Sequence, residues 1–543
     1  MVENTLWYGN NLGILRDEIP SETVDLIYLD PPFKSSQNYN VLFAEQDGSR
    51  AAAQIKAFED TWRWDSAAVL AYHQIVELGG RVSEAMQAFH MILGDSDMLA
   101  YLAMMAPRLV QMRRVLKPTG SIYLHCDSTA SHYLKILMDA VFGPDGFTNE
   151  IVWRRYGTHN DVGQGSRHYG RVHDILLFYT RGPKVTWNQV FTPLDPKYIE
   201  QTYRYIEPGT GRRFTTTPLT GPGGAAKGNP VFEWKGHMRA WRYNRATMER
   251  LDHEGRLYYS RTGYVRQKLY LDESKGVPVQ DVWGDIPSLS GAHAERLGYP
   301  TQKPVALLER IIKASTNEGD IVLDPFCGCG TAIIADQRLN RQWIGVDITH
   351  LAMSLIKNRL TDTFGSAVKF IIKGVPETVA EATFLAKQDQ YEFQWWAVGL
   401  IGAAPREQER KKGADKGIDG KLYFHDESDP TKTKQLISSV KSGHLKPEYV
   451  RDLRGVIERE KAQIGVLLTL QDPTPAMRRE AASAGFYHSP GWNTDHPRLQ
   501  ILTAGELLSG KRVDMPPIEQ VSTTFRRATR AKTDATQGAL ALD

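Results

Sequence analysis

Apolar runs and turn signals succeed one another along this chain in the rhythm of alternating strands and helices. Val24-Asp25-Leu26-Ile27-Tyr28-Leu29 is apolar and β-branched enough for a buried parallel strand. It stops at Asp30-Pro31-Pro32-Phe33, where two prolines forbid further ladder pairing. Ahead of it, Leu6-Trp7-Tyr8-Gly9-Asn10 reads as a short strand and turn, leading into an amphipathic stretch around Leu12 and Leu15. From 97 to 116, Met, Leu and Val recur at helical spacing. Pro118-Thr119-Gly120 then predicts a turn, and Ser121 to Cys126 another apolar strand.

From about Arg154 to Gly298 the periodicity fades and Gly, Pro, Arg, Trp and Tyr become frequent, which predicts an inserted module. Regular patterning resumes with a helix from Val305 to Ser315, a strand Ile321-Val322-Leu323, a glycine turn, a helix through Leu339 and a strand Trp343-Ile344-Gly345-Val346. These elements are expected to complete the sheet begun by the first half. A second α/β pattern covers about 390 to 510, and the polar, basic end from Thr523 predicts a disordered tail. The expected divisions are therefore 1–155, 156–297, 298–385, 386–512 and a flexible 513–543.

Composition narrows the class. The 543 residues are 41% hydrophobic and 24% charged, enough to bury large cores and far from a disordered composition. Three cysteines, Cys126, Cys327 and Cys329, cannot make a disulfide framework, and the beginning MVENTLWYGN lacks a signal-peptide pattern, so a cytoplasmic setting is expected. No run approaches the roughly 20 apolar residues of a membrane span. The net charge of +3 points to no partner by itself.

The chemistry concentrates at two strand ends. In open parallel sheets, ligands bind outside the carboxyl ends of the strands, so Asp30-Pro31-Pro32-Phe33 and Asp324-Pro325-Phe326-Cys327-Gly328-Cys329-Gly330-Thr331 are expected to face one crevice despite their separation in sequence. Gly328 and Gly330 allow a tight turn, but Ile333 stands where a dinucleotide fingerprint needs its third glycine, which disfavours NAD. Asp347 ends the strand RQWIGV, placed to accept hydrogen bonds from ribose hydroxyls. A nucleoside cofactor without a pyrophosphate is implied. Cys327 and Cys329 lack the second cysteine pair that a zinc site would need.

With YLDPPF, SIYLHCD, NEIVWRR, TQKP, DPFCGCGT and IGVDI in this order, the chain resembles the permuted, β-type amino-methylating DNA methyltransferases that use S-adenosyl-L-methionine. The resemblance implies a Rossmann-like α/β methyltransferase sheet, with the catalytic motif ahead of the cofactor motif and a target-recognition insertion between them. It implies that Asp30 and Pro31 accept the N–H groups of an exocyclic amine within Asp30-Pro31-Pro32-Phe33, and that Phe33 stacks on a base flipped out of double-stranded DNA. Asp324, Phe326, Gly328, Gly330 and Thr331 would line the cofactor, Asp347 would hold its ribose, and Thr301, Gln302 and Lys303 would close over its carboxylate end. In this family a leading Asp goes mainly with adenine N6, and N4 of cytosine is the alternative. Lys34 and Ser128 depart from the usual Asn and Pro. His125 and Asp127 fall near the same crevice without an assigned role. Arg154, Arg155, Arg212, Arg213, Lys235, Arg239, Trp241 and Arg242 are candidates for holding phosphates and reading bases. Dimers are frequent among similar enzymes, so a homodimer is a possible assembly, in a restriction-modification or defence setting.

The 386–512 region resembles the Mrr-like branch of the restriction-endonuclease fold, where an Asp and a (Glu/Gln)-x-Lys hold Mg²⁺ and activate water. Asp419 and Lys441 match by position, Glu392 is the candidate helix acid, and Ser439 stands at the Glu/Gln position. A hydroxyl is a weaker ligand for a hard cation than a carboxylate. A bifunctional methyltransferase and Mg²⁺-dependent endonuclease and a binding module both stay open at this point.

Overall fold

The structure, a computed structural model, describes residues 3–32, 64–157, 167–260, 263–290, 293, 295–297, 299, 301–365, 368–405, 417–426, 433–516 and 519–520. Phe33, Lys34 and the segment from Thr523 onward lie outside the described residues.

The chain lays down β1 (Thr5–Tyr8), α1 (Asn11–Asp17), β2 (Val24–Leu29), α2 (Asp97–Val115), β3 (Leu116–Cys126), α3 (Ser131–Phe142), β4 (Phe147–Arg154) and β5 (His173–Thr180). It returns with β6 (Val282–Trp283), α4 (Val305–Ser315), β7 (Ile321–Asp324), α5 (Thr331–Arg338), β8 (Gln342–Asp347), α6 (His350–Phe364) and β9 (Ile371–Lys373). All nine strands form one sheet, in the order β6-β4-β5-β3-β2-β7-β8-β1-β9. β5 runs antiparallel to β3 and β4. The other neighbours run parallel. The strands β7 and β8 thus slot between β2 and β1, which is how two halves distant in sequence complete one sheet. All six residues of β2 are buried, as its unbroken apolar run requires of a central strand.

One charge inside that strand has a structural use. Asp25 accepts hydrogen bonds from Lys117 Nζ at 2.9 and 2.7 Å and from the backbone N–H of Ile321 at 2.9 Å, tying β2 to its neighbours on both sides. The expected turn at Pro118–Gly120 is instead an irregularity within β3, where the pairing slips between Val24 and Leu26. A Cβ on Gly120 would lie 2.8 Å from the Asp25 carbonyl oxygen, so the strands can close there only without a side chain.

Residues 189–280 form a separate compact unit, narrower than the expected 156–297. The reason is β5: HDILLFYT is buried in the main sheet, so the stretch just after Arg154 still belongs to it. Within the separate unit, Leu219, Trp234, Trp241, Met248, Leu251, Leu257 and Val265 make their own core.

The C-terminal part comprises α7 (Val379–Gln388), α8 (Gln390–Leu400), β10 (Gly420–His425), β11 (Lys434–Lys441), α9 (Glu448–Arg459), β12 (Ile464–Thr469), α10 (Pro475–Ala482) and β13 (Leu499–Thr503). β10 is antiparallel to β11, and β11, β12 and β13 are parallel. Its core begins earlier than 386, with Ala382 and Leu385 of α7, and continues past 512, where Val513 and Met515 pack against it. The backbone of Asp514 exchanges hydrogen bonds with the Gln500 amide at 2.6 and 2.9 Å, so residues 513–516 are docked against this core.

Candidate active site

β2, β7 and β8 are parallel neighbours, and each ends on or just before an aspartate: Asp30, Asp324 and Asp347. Parallel register puts these ends on one edge of the sheet, so the two motifs meet as expected. Asp324 is buried, its Oδ1 accepts from the Phe326 N–H at 3.1 Å, and burial pushes its carboxyl up to about 8. Burial also raises Asp347 above the usual carboxylate range. Asp347 ties down the glycine turn, because its Oδ2 accepts from the Gly328 N–H at 2.9 Å while its Oδ1 accepts from the N–H and hydroxyl of Thr349 at 2.9 Å each.

The turn needs its glycines. Gly330 has φ of 74°, and a Cβ there would lie 2.7 Å from the Ile356 side chain. Gly328 has φ of 48° and faces Tyr299, whose ring a Cβ would meet at 3.2 Å. A backbone stripped of side chains between two strand-end carboxylates suits a cationic nucleoside ligand, so the residues present fit the cofactor implied by the motifs. Phe326 is partly buried against the main core. The Thr331 hydroxyl meets Arg359 Nη1 at 3.3 Å and Cys329 Sγ at 3.5 Å.

Three supporting residues escaped the sequence reading. Arg359 of α6 is buried and donates to the Cys329 carbonyl at 3.0 Å. Arg108 of α2 donates to Asn11 Oδ1 at 2.7 Å, and Asn11 Nδ2 in turn donates to the Pro325 carbonyl at 2.8 Å. Each arginine sits on an otherwise apolar helical face, beside Leu355, Ile356 and Leu360 or beside Met105, Leu109 and Met112. A charge at core spacing was the available signal, since such a charge must have a buried partner.

Thr301, Gln302 and Lys303, consecutive in the chain, have different surroundings. Thr301 is exposed with φ of 56°, and the Gln302 amide holds its own loop, donating to the Glu295 carbonyl and accepting from the Leu297 N–H, both at 2.8 Å. Lys303 reaches the crevice, where its ammonium donates to Asp30 Oδ2. His125 is fully buried, with Nδ1 2.9 Å from the Tyr28 hydroxyl and Nε2 3.2 Å from Asp174. Arg155 pairs with the same Asp174 at 3.3 Å. Asp127 accepts from the N–H groups of Thr129 and Ala130 at 3.0 and 3.1 Å, holding the turn that precedes α3.

Several basic candidates of the 189–280 unit are engaged within it. Arg212 binds Asp272 and Glu273 and stacks over Tyr270 at 3.8 Å. Arg213 donates to the Tyr203 carbonyl, and Lys235 pairs with Asp252 at 2.6 Å. Trp241 is buried in the core of the unit, so it supplies packing there. Arg239 lies over the Tyr264 ring at 4.6 Å, and Arg242 is exposed.

In the C-terminal part, Asp419 is buried and strongly hydrogen-bonded. It accepts from Gln394 Nε2 at 2.8 Å, Ser439 Oγ at 3.2 Å and the Val440 N–H at 2.6 Å. Lys441 extends over the Tyr449 ring at 5.1 Å. Glu392 is not brought to Asp419. Residues two apart on a helix point about 200° from each other, and with Gln394 turned to Asp419, Glu392 instead accepts from the Tyr8 hydroxyl of β1 at 3.5 Å. Among the described residues no group of three His, Cys, Asp or Glu is arranged to hold a metal. Among the described residues the groups that donate to Asp419 include a side-chain amide, a hydroxyl and a backbone N–H, and no cleavage step is derived from this site.

The sequence model of the DNA methylase family, the N6/N4 methyltransferases, matches residues 24–358, and the chain belongs to this family. A second family, described as restriction endonuclease with an Mrr-type catalytic domain, matches residues 385–487. Among individual proteins, the chain is 29% identical over 361 residues to the type II methyltransferase M.EcaI of Enterobacter cloacae, covering 65% of this chain and 68% of that protein. It is 26% identical over 355 residues to the type III restriction-modification enzyme StyLTI Mod subunit of Salmonella typhimurium, covering 62% of this chain and half of the subunit. A solved DNA modification methylase from Thermus thermophilus, complexed with S-adenosyl-L-methionine, aligns over 68% of this chain and 99% of its own at 13% identity and a TM-score of 0.32.

Proposed function

We propose that the protein methylates the N6 amine of adenine in DNA, using S-adenosyl-L-methionine, as the modifying member of a restriction-modification system. The observation that carries this reading is the meeting of Asp30-Pro31 with Asp324 and Asp347 on three adjacent parallel strand ends. The relatives M.EcaI and the StyLTI Mod subunit, named as restriction-modification enzymes or their methyltransferases, support the setting.

When bound, the cofactor supplies an electrophilic methyl group on a positively charged sulfur. The protein's part is positioning and charge. Asp347, with lone pairs left over from Gly328 and Thr349, accepts from ribose hydroxyls, and Asp324 sets a carboxylate against the positive charge. Asp30 and the Pro31 carbonyl accept the two N–H groups of the target amine. That draws the nitrogen lone pair out of conjugation with the ring and aims it at the methyl group. The surplus proton leaves afterwards to Asp30 or to water. Phe33 is the stacking platform in this reading, and the 189–280 unit, with Arg239 and Arg242 outward, is the reader of the DNA.

The test is transfer of labelled methyl groups from S-adenosyl-L-methionine to unmethylated genomic DNA, with the product base identified by mass spectrometry. N6-methyladenine is expected, with loss of at least a thousandfold in rate for Asp30→Ala (on the order of 4 kcal/mol of transition-state stabilisation). N4-methylcytosine in its place would overturn the base assignment, and absence of label would overturn the activity.

A further inference from the structure

We propose that Lys303 holds the place of the target amine on Asp30, so that a base enters the site only by exchanging its own N–H donors for the lysine ammonium. The inference rests on the methyltransferase reading and gives Lys303 a role apart from the cofactor's carboxylate end.

The geometry is specific. Lys303 stands directly before Pro304, which caps α4, and two residues after Thr301, whose positive φ turns the chain. Its stem is buried, and its ammonium lies on Asp30 Oδ2, with the Thr301 carbonyl at 3.5 Å. An ammonium and an exocyclic amine offer a carboxylate the same hydrogen-bonding feature, nitrogen-borne N–H donors, though only the ammonium carries a charge. Both partners are largely withdrawn from water, with side chains 10% and 18% exposed, so neither can be abandoned without a replacement. A base bearing an amine offers that replacement. A base without one leaves Asp30 unpaired if the lysine departs, or is blocked if it stays, and the site then discriminates by refusal as well as by contact. The displaced ammonium keeps a counter-charge within its field, the buried carboxylate of Asp174, which Lys303 helps to hold below the usual carboxylate range.

The test uses the full-length protein, saturating sinefungin in place of the cofactor, and duplexes carrying the target sequence, which is first mapped by sequencing genomic DNA methylated in the transfer assay. The target position holds either adenine or unsubstituted purine, which lacks the amine. Wild-type protein is expected to bind the adenine duplex at least tenfold more tightly, even though purine pairs more weakly and is easier to extrude. In Lys303→Met the ratio is expected to fall to about threefold or less, and in Lys303→Arg it is expected to be largely restored, while the dissociation constant for S-adenosyl-L-methionine changes less than threefold in both. Equal binding of the two duplexes by wild-type protein overturns the proposal and needs no variant. A tenfold loss of cofactor affinity in Lys303→Met with an unchanged duplex ratio also overturns it, and assigns the lysine to the cofactor. Failure of the methyltransferase reading shows separately, as absence of label in the wild-type transfer assay.

Discussion

Asp324 is the residue whose ionisation most directly reports on the site. Burial moves its carboxyl from 3.8 to about 8, so the folded crevice favours the neutral acid. The stability that this preference contributes is full below about pH 4 and is lost as the pH rises through about 8. A cation bound beside it favours the carboxylate, so cofactor binding at about pH 7 is expected to release close to one proton. Calorimetric titration in buffers of different ionisation enthalpy measures this directly, and Asp324→Asn is expected to abolish the release. A binding enthalpy independent of buffer in the wild type would contradict it. Asp324 was legible in the sequence as a strand-end acid. Its protonation was not, because that depends on burial by residues far away in the chain.

At the scale of elements, the glycine turn is held from three helices at once. Asn11 at the start of α1 carries the Pro325 carbonyl, Arg108 of α2 carries Asn11, and Arg359 of α6 carries the Cys329 carbonyl. Replacing Asn11 by Ala leaves a buried guanidinium and a carbonyl each short of a partner. It is expected to lower stability by about 1–3 kcal/mol and to weaken cofactor binding. Urea unfolding together with cofactor titration checks both effects, and wild-type values for both would show that the turn supports itself. The strands and helices of this layer were legible because each carries its own periodicity: α4 and β7 match their expected spans closely. The β3 irregularity was not, since Pro118 and Gly120 announce a turn whether the chain reverses or only slips register.

For the whole molecule, the issue is what the C-terminal part contributes. Asp419 accepts hydrogen bonds from Gln394, Ser439 and the Val440 N–H, and Glu392 accepts from Tyr8 of the methyltransferase sheet. Asp419→Ala is therefore expected to destabilise the protein by at least about 2 kcal/mol, through several stranded buried donors. Millimolar Mg²⁺ is expected to leave the melting temperature of the wild type unchanged. Differential scanning calorimetry with and without Mg²⁺ decides this, and a Mg²⁺-dependent rise lost in Asp419→Ala would restore a metal centre to this domain.

Local pattern was enough to define β1, β2, β3, β7 and β8 of the main sheet, the two strand-end motifs and the membership they announce, because these depend on periodicity and on residue types that only a few chemistries use. The rest came from the fold. It withdrew His173–Thr180 from the insertion and put it in the main sheet, because an apolar strand pairs wherever an edge is open to it. It set Gln394, and not Glu392, against Asp419, because residues two apart on a helix point about 200° from each other. It brought Lys303 to Asp30 across 273 positions, a pairing that no spacing along the chain encodes and that only the closing of parallel strand ends upon one another can make.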